Sequence, residues 1–128
     1  MILKGFLTSI LGMTSVLAAP EKIVINSELG SAQFRDEFGR ARIFHGTNVV
    51  VKLPPYLPKD DEFDPIYSIV EKDLQYMKAW GVKMVRLGVL WEAVETAPGV
   101  WNEDYLNKMD TLINRFAEYD IVTMLDNH

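Results

Sequence analysis

The feature that most constrains the fold of this chain is a nearly continuous apolar run over residues 82–91, in the middle of which Arg86 stands alone. It follows directly on an amphipathic stretch closed by Gly81. An apolar run bounded by a helix-ending glycine predicts a strand buried on both faces, the usual state of a parallel sheet flanked by helices. With a period of two, Val85, Leu87 and Val89 fall on one face, and Met84, Arg86, Gly88 and Leu90 on the other. The branched face is expected to pack under helices; the second face carries the charge.

The same pattern lies on both sides of this run. Upstream, residues 42–48 read as a strand, and residues 49–59 contain Pro54, Pro55 and Pro58, which forbid regular pairing and predict a long surface loop. Asp64-Pro65 reads as a helix start, a capping carboxylate followed by proline at the first helical position. Ile66, Ile69, Val70, Leu74, Met77 and Trp80 then recur as an amphipathic stripe up to Gly81. Downstream, Asn102 is placed to cap a helix, Glu103 and Asp104 complement its positive end, and Leu106, Met109, Ile113 and Phe116 recur at helical spacing. Residues 121–126 form a third strand of the same kind, with Asp126 and His128 on the face of Val122 and Met124. Strand, helix, strand, helix, strand argues for βαβ units in a parallel sheet, hence an α/β fold. The two candidate architectures are a (β/α)8 barrel and a doubly wound sheet. No G-x-G-x-x-G or P-loop glycine pattern follows any strand, which weighs against the dinucleotide-binding version of the latter.

The first residues differ in kind. Lys4 precedes a short apolar run from Gly5 to Leu17, and Val16-Leu17-Ala18 places small residues where signal peptidase needs them, so residues 1–18 read as a secretory signal; the run is too short to span a bilayer and is followed at once by Pro20. The expected compartment is extracellular or the endomembrane lumen, with no transmembrane segment. Residues 23–25 and 32–35 read as short strands, and residues 36–40 as the tight turn of a hairpin leading on into the sheet. The sequence has no cysteine, so stability must come from a packed core, which 128 residues with 48% hydrophobic content can supply. A net charge of −5 without a lysine or arginine cluster leaves no footprint for phosphate backbones, and nucleic-acid binding is set aside.

In a barrel, functional residues sit at the C-terminal ends of strands and in the loops beyond them. Those positions hold Asn48, Lys52 and Tyr56 after the first strand, Arg86, Trp91, Glu92 and Glu95 on or after the second, and Asp126 and His128 on the third. Aromatic, acidic, amide and basic groups converging in a cleft suit a sugar, whose apolar ring face stacks on tryptophan while its hydroxyls need donors and acceptors. Each residue also has a plainer reading. Arg86 must be paired, either by orienting an active-site carboxylate or in a structural ion pair, because an uncompensated charge there is prohibitive. His128 is a ligand contact or an idle loop residue, Trp91 a platform or core, Lys52 a ligand contact or a snorkelling surface chain. Glu92 and Glu95 fit a solvated loop. His45 and His128 without a metal-ligand pattern give no basis for a metal site, and no cofactor or Ser-His-Asp triad is indicated.

The residues then carry a resemblance that spacing alone does not give. Phe38-Gly39-Arg40-Ala41-Arg42-Ile43-Phe44-His45-Gly46-Thr47-Asn48 through Lys52 and Pro54-Pro55-Tyr56, followed by Trp80-Gly81-Val82-Lys83-Met84-Val85-Arg86-Leu87-Gly88-Val89-Leu90-Trp91 and then Leu125-Asp126-Asn127-His128, resembles the opening of endoglycoceramidase-type members of glycoside hydrolase family 5, the cellulase family. The resemblance implies a (β/α)8 barrel that hydrolyses β-glycosidic bonds with retention. Here it implies a partial barrel over residues 19–128: the N-terminal hairpin, the first three barrel strands and two helices, truncated before closure. Two carboxyl groups about 5–5.5 Å apart do the chemistry in such enzymes, and the resemblance puts both on strands beyond His128. What it carries over is a supporting shell: Arg86 beside the nucleophile, His128 at the sugar of the cleavage subsite, and Lys52, Asp126, Trp91 and Asn48 lining the cleft. The implied partner is a carbohydrate or glycolipid, with peripheral contact to lipid surfaces; a β-glucan or a non-catalytic sugar-binding role are the alternatives. Glu92-Ala93 and Thr96-Ala97-Pro98 depart from the residues usual in the relatives.

Overall fold

The structure, a computed structural model, describes residues 23–26 and 32–128; the expected signal segment, 1–18, lies outside the described residues. The chain divides into two units, Met1–Arg40 and Ala41–His128. In the first, β1 (Val24–Asn26) pairs antiparallel with β2 (Gln33–Arg35), Val24 opposite Arg35. The turn after β2 closes on Asp36, whose carboxylate is 1% exposed as a residue and accepts from the backbone N–H groups of Phe38 at 3.0 Å and Arg40 at 2.9 Å. The Arg40 guanidinium adds a 2.6 Å contact, and Gly39 supplies the left-handed backbone, φ 75°, that the turn needs.

The second unit is built on a three-stranded parallel sheet in the order β3 (Gly46–Val49), β4 (Met84–Val89), β7 (Val122–Asn127). α1 (Glu71–Ala79) connects the first pair. The second connection runs through a short α2 (Trp91–Val94), a small antiparallel hairpin of β5 (Glu95–Ala97) and β6 (Val100–Trp101), and α3 (Glu103–Glu118). Parallel strands require such crossovers, as the sequence pattern predicts.

Val85 and Leu87, 0% and 1% exposed, form the centre of the core with Leu74 and Met77 of α1 and Tyr105, Met109, Leu112 and Phe116 of α3. Burying one such side chain contributes about 1.5–3 kcal/mol. The Asn102 side chain caps α3 by accepting from the Tyr105 N–H at 3.2 Å. Between the two helices the Tyr119 hydroxyl donates to Glu71 in the first turn of α1, and Lys78 in its last turn meets Asp120 at 2.9 Å.

Several sequence expectations shift. The first strand of this sheet begins at Gly46 rather than residue 42, because its partner β4 begins at Met84, in register with Gly46. The strand runs on through Val49, and the loop after it is less superficial than its prolines suggest, since Val51 is buried. Asp64-Pro65 starts only a single turn, in which the Asp64 carboxylate accepts from the N–H groups of Ile66 and Tyr67 at 2.9 Å each. A bridge between Lys59 and Ser68 interrupts it. The helix proper starts at Glu71, with the Val70 N–H donating to Asp73 at 2.9 Å. Ile66 and Trp80 are therefore exposed rather than core, and Trp80 stacks on Tyr76 at 5.6 Å. On α3 the buried line runs through Tyr105 and Leu112, with Leu106 and Ile113 flanking it. β4 is not sealed on both faces, since Met84 and Arg86 are only half-buried. The hairpin of β5 and β6 was missed, although Pro98-Gly99 is a strong turn signal: Gly99 has φ 76°, and its N–H donates to Glu95 at 2.6 Å.

Candidate active site

The register of the sheet assembles the site. Residues paired across neighbouring strands point to the same face, so Asn48, Arg86 and Met124 form one row and Gly88 and Asp126 the next. This is the face opposite Val85 and Leu87. It bears the charge because helices α1 and α3 cover only the other side.

Arg86 and Asp126 stand diagonally, one row apart on neighbouring strands, and the long guanidinium spans the offset: Nη2 lies 2.5 Å from Asp126 Oδ2. His128 follows two residues after Asp126 on the same face, and its Nε2 lies 2.6 Å from the same oxygen. That oxygen is closed to solvent and makes no aligned hydrogen bond, so its contact with Arg86 is held by charge. The His128 backbone prolongs the ladder beyond β7, its N–H donating to Val89 O and its carbonyl accepting from the Trp91 N–H, both at 3.0 Å. Gly88 has a steric reason: a Cβ there would meet Val50 Cγ1 at 2.7 Å, so the residue makes room for the loop after β3 to lie across the sheet.

Trp91 is half-exposed and meets Trp101 edge-to-face at 6.1 Å and 89°, so it is not a core residue. Trp101, carried by the missed hairpin, belongs to the same aromatic rim. Asn48 is exposed in the row of Arg86, and Lys52 is exposed on the loop beyond β3. Neither reaches the cluster of Arg86, Asp126 and His128. Glu95 is used up in its turn. Glu92 has a partner that sequence reasoning did not foresee. It lines a cleft with Tyr56, Asn102 and Lys108, and the Tyr56 phenol is pushed above the ordinary tyrosine value by partial burial and then by the charge and hydrogen bond of Glu92. Tyr56 sits in the left-handed region at φ 64°, a conformation that a bulky residue holds only when its surroundings impose it. Beneath the end of β4, burial raises the Tyr105 phenol, while a 3.4 Å hydrogen bond from the Leu90 N–H opposes that shift. Among the described residues no group of three His, Asp or Glu side chains could hold a metal ion, and no helix is long and apolar enough to cross a membrane.

An arrangement with a cation, a carboxylate and an imidazole on one open sheet face, rimmed by tryptophans, can orient a second carboxylate and contact polyhydroxylated ligands. Comparison with known proteins points the same way. The family described as cellulase, glycosyl hydrolase family 5, matches residues 61–128. An endoglycoceramidase of Cyanea nozakii is 38% identical over 106 residues, 83% of this chain and 20% of that protein. An endoglycoceramidase of Hydra vulgaris is 34% identical over 93 residues, 73% of this chain and 18% of that protein. Among solved structures, endo-glycoceramidase II from Rhodococcus sp., as its lactosyl-enzyme intermediate, superposes with a TM-score of 0.57 at 29% identity, covering 72% of this chain and 20% of that one. The chain thus spans about a fifth of the length of these relatives.

Proposed function

The chain belongs to the cellulase family, glycosyl hydrolase family 5, and from that premise we propose that it is the opening part of a retaining glycosidase acting on glycosphingolipids. Its three parallel strands and their crossovers are then the first strands of a (β/α)8 barrel, whose reacting groups gather at the C-terminal ends. The observation that carries this reading is the convergence of Arg86, Asp126 and His128 at that end of the sheet.

The acid/base and the nucleophile belong to strands beyond His128. A retaining mechanism passes through a covalent glycosyl-enzyme, and a relative captured as a lactosyl-enzyme supports retention here. Arg86 lies beside the nucleophile and keeps it ionised, since a guanidinium within a few ångströms favours the charged carboxylate. His128 faces the sugar at the bond to be cleaved. Trp91, with Trp101, offers an apolar ring face, while Asn48 and Lys52 offer hydrogen-bond partners further out. The glycolipid assignment is supported by the names of the relatives, which are endoglycoceramidases.

The test is a graft, in which the matched segment of the Cyanea nozakii endoglycoceramidase is replaced by the corresponding residues of this chain. The graft should release intact oligosaccharide from a ganglioside with retention at the anomeric carbon. Preference for a soluble β-glucan would instead make the protein a glucan-cleaving member. A folded graft that hydrolyses neither would leave only a sugar-binding role. Residues 1–18 are proposed as a secretory signal that sends the protein outside the cell or into the endomembrane lumen. Mass spectrometry of the exported protein should then find a new N-terminus just after Ala18, and an intact Met1 on the exported protein would overturn the assignment.

A further inference from the structure

We propose that Asp126 is a positioning residue, which orients Arg86 and His128 from a single carboxylate oxygen. The inference rests on the glycosidase reading for its consequence in catalysis, but its geometric half stands without it.

Three observations carry it. First, the oxygen that faces Arg86 and His128 is shut off from solvent and lies 2.5 and 2.6 Å from their nitrogens, so no hydroxyl can reach it. Second, the backbone leaves His128 little choice. Its N–H donates to Val89 at the end of β4 and its carbonyl accepts from Trp91 at the start of α2, and as the residue two beyond Asp126 it shares that residue's face. Third, Gly88, the residue beside Asp126 in register, has no side chain, so among the described residues the only cation that meets this carboxylate from β4 is Arg86, one row away.

Two chemical consequences follow. A neutral imidazole whose Nε2 faces a carboxylate carries its proton on Nε2, which leaves the lone pair of Nδ1 as an acceptor turned away from Asp126. A guanidinium has five N–H groups in a rigid fork, and anchoring it through Nη2 leaves the rest of the fork aimed for a second carboxylate. That is the arrangement a nucleophile beside Arg86 requires. Asp126 thereby biases the tautomer of one neighbour and draws the guanidinium of the other to this end of the sheet.

The experiment has two arms. The sequence holds only two histidines, His45 and His128, so nitrogen-15 NMR of the full chain labelled at histidine reads both, and exposed His45 serves as the internal reference. His128 should be almost wholly the Nε2–H tautomer when neutral, and Asp126→Ala should return it to the tautomer mixture of His45. Should Asp126→Ala fail to fold, the near-isosteric Asp126→Asn replaces it, and the wild-type spectrum already decides: a His128 with the same mixture as His45 overturns the proposal. In the graft, Asp126→Asn should lower kcat about a hundredfold, the scale of a misplaced reacting geometry, with a much smaller change in KM. A variant that raises KM, keeps kcat and leaves the His128 signals unchanged would make Asp126 a sugar contact and sink the inference. A wild-type graft without activity counts against the glycosidase reading alone, since the NMR arm still tests Asp126.

Discussion

The two faces of the β3–β4–β7 sheet are made from alternate residues of the same strands, yet they are organised by different forces. Under the helices, Val85 and Leu87 are sealed among Leu74, Tyr105, Met109 and Phe116, and what matters there is volume and fit. On the opposite face Arg86, Asp126 and His128 are a quarter to about a third exposed and gather around one carboxylate oxygen, with the charge of Arg86 against that of Asp126. The difference teaches that the run over residues 82–91 encodes two things at once: a core stripe that places the strand, and a polar stripe that the strand then presents. A substitution should move stability or site geometry according to which parity it falls on.

The largest effect should come from emptying the sealed side. Phe116→Ala removes a fully buried ring and should cost about 3–5 kcal/mol, read as a shift of the urea midpoint of the purified chain; a loss below about 1 kcal/mol would mean that the helical face is loosely packed. A smaller effect is expected where a loop crosses the open side. Gly88→Ala drives a Cβ into Val50 at 2.7 Å, an overpacking that should cost about 1–3 kcal/mol, and Val50→Ala combined with it should recover most of the loss. If Val50→Ala gives no recovery, the glycine is needed for another reason. The smallest effect belongs to a turn outside both faces. Hydrogen bonds from the N–H groups of Ile66 and Tyr67 are the main cause holding the Asp64 carboxyl below the ordinary aspartate value of 3.8. A depressed folded-state pKa gives stability that is present above the unfolded value and lost as pH falls through the folded one. Asp64→Ala should therefore destabilise the chain at neutral pH, with the gap to wild type closing as the solution is acidified below 3.8. A gap that stays constant with pH would assign the effect to packing.

How much of this was legible in the sequence follows the same division. The parity of Val85 and Leu87 against Arg86 was readable because a strand alternates strictly, and Asn102 as a cap was readable because its side chain acts within three residues. The α/β order and the parallel pairing followed from the alternation of runs. Asp64-Pro65 misled because a local capping signal says that a turn starts, not how long it lasts; the pairing of Lys59 with Ser68 ended it. Trp80 misled in a similar way, since a helical stripe predicts burial only when something covers it, and no described element does. The hub at Asp126 was not legible: it depends on which rows of β4 and β7 come into register, and register is set by the whole sheet. The partnership of Tyr56 with Glu92, thirty-six residues apart in the chain, was hidden for the same reason.

Two neighbouring residues allow the most direct test of the division between the faces. Arg86→Ala and Leu87→Ala, each placed in the graft, would be compared for kcat and for thermal midpoint. The account predicts that Arg86→Ala loses about a hundredfold or more in kcat, on the scale of removing a preorganised electrostatic partner, with a smaller fall in the midpoint than Leu87→Ala, since the pair with Asp126 is partly exposed. Leu87→Ala should instead lose about 2–5 kcal/mol of stability, while the enzyme that remains folded turns over normally. An Arg86→Ala graft that melts as early as the Leu87→Ala graft and still hydrolyses its glycolipid at the wild-type rate would contradict the account.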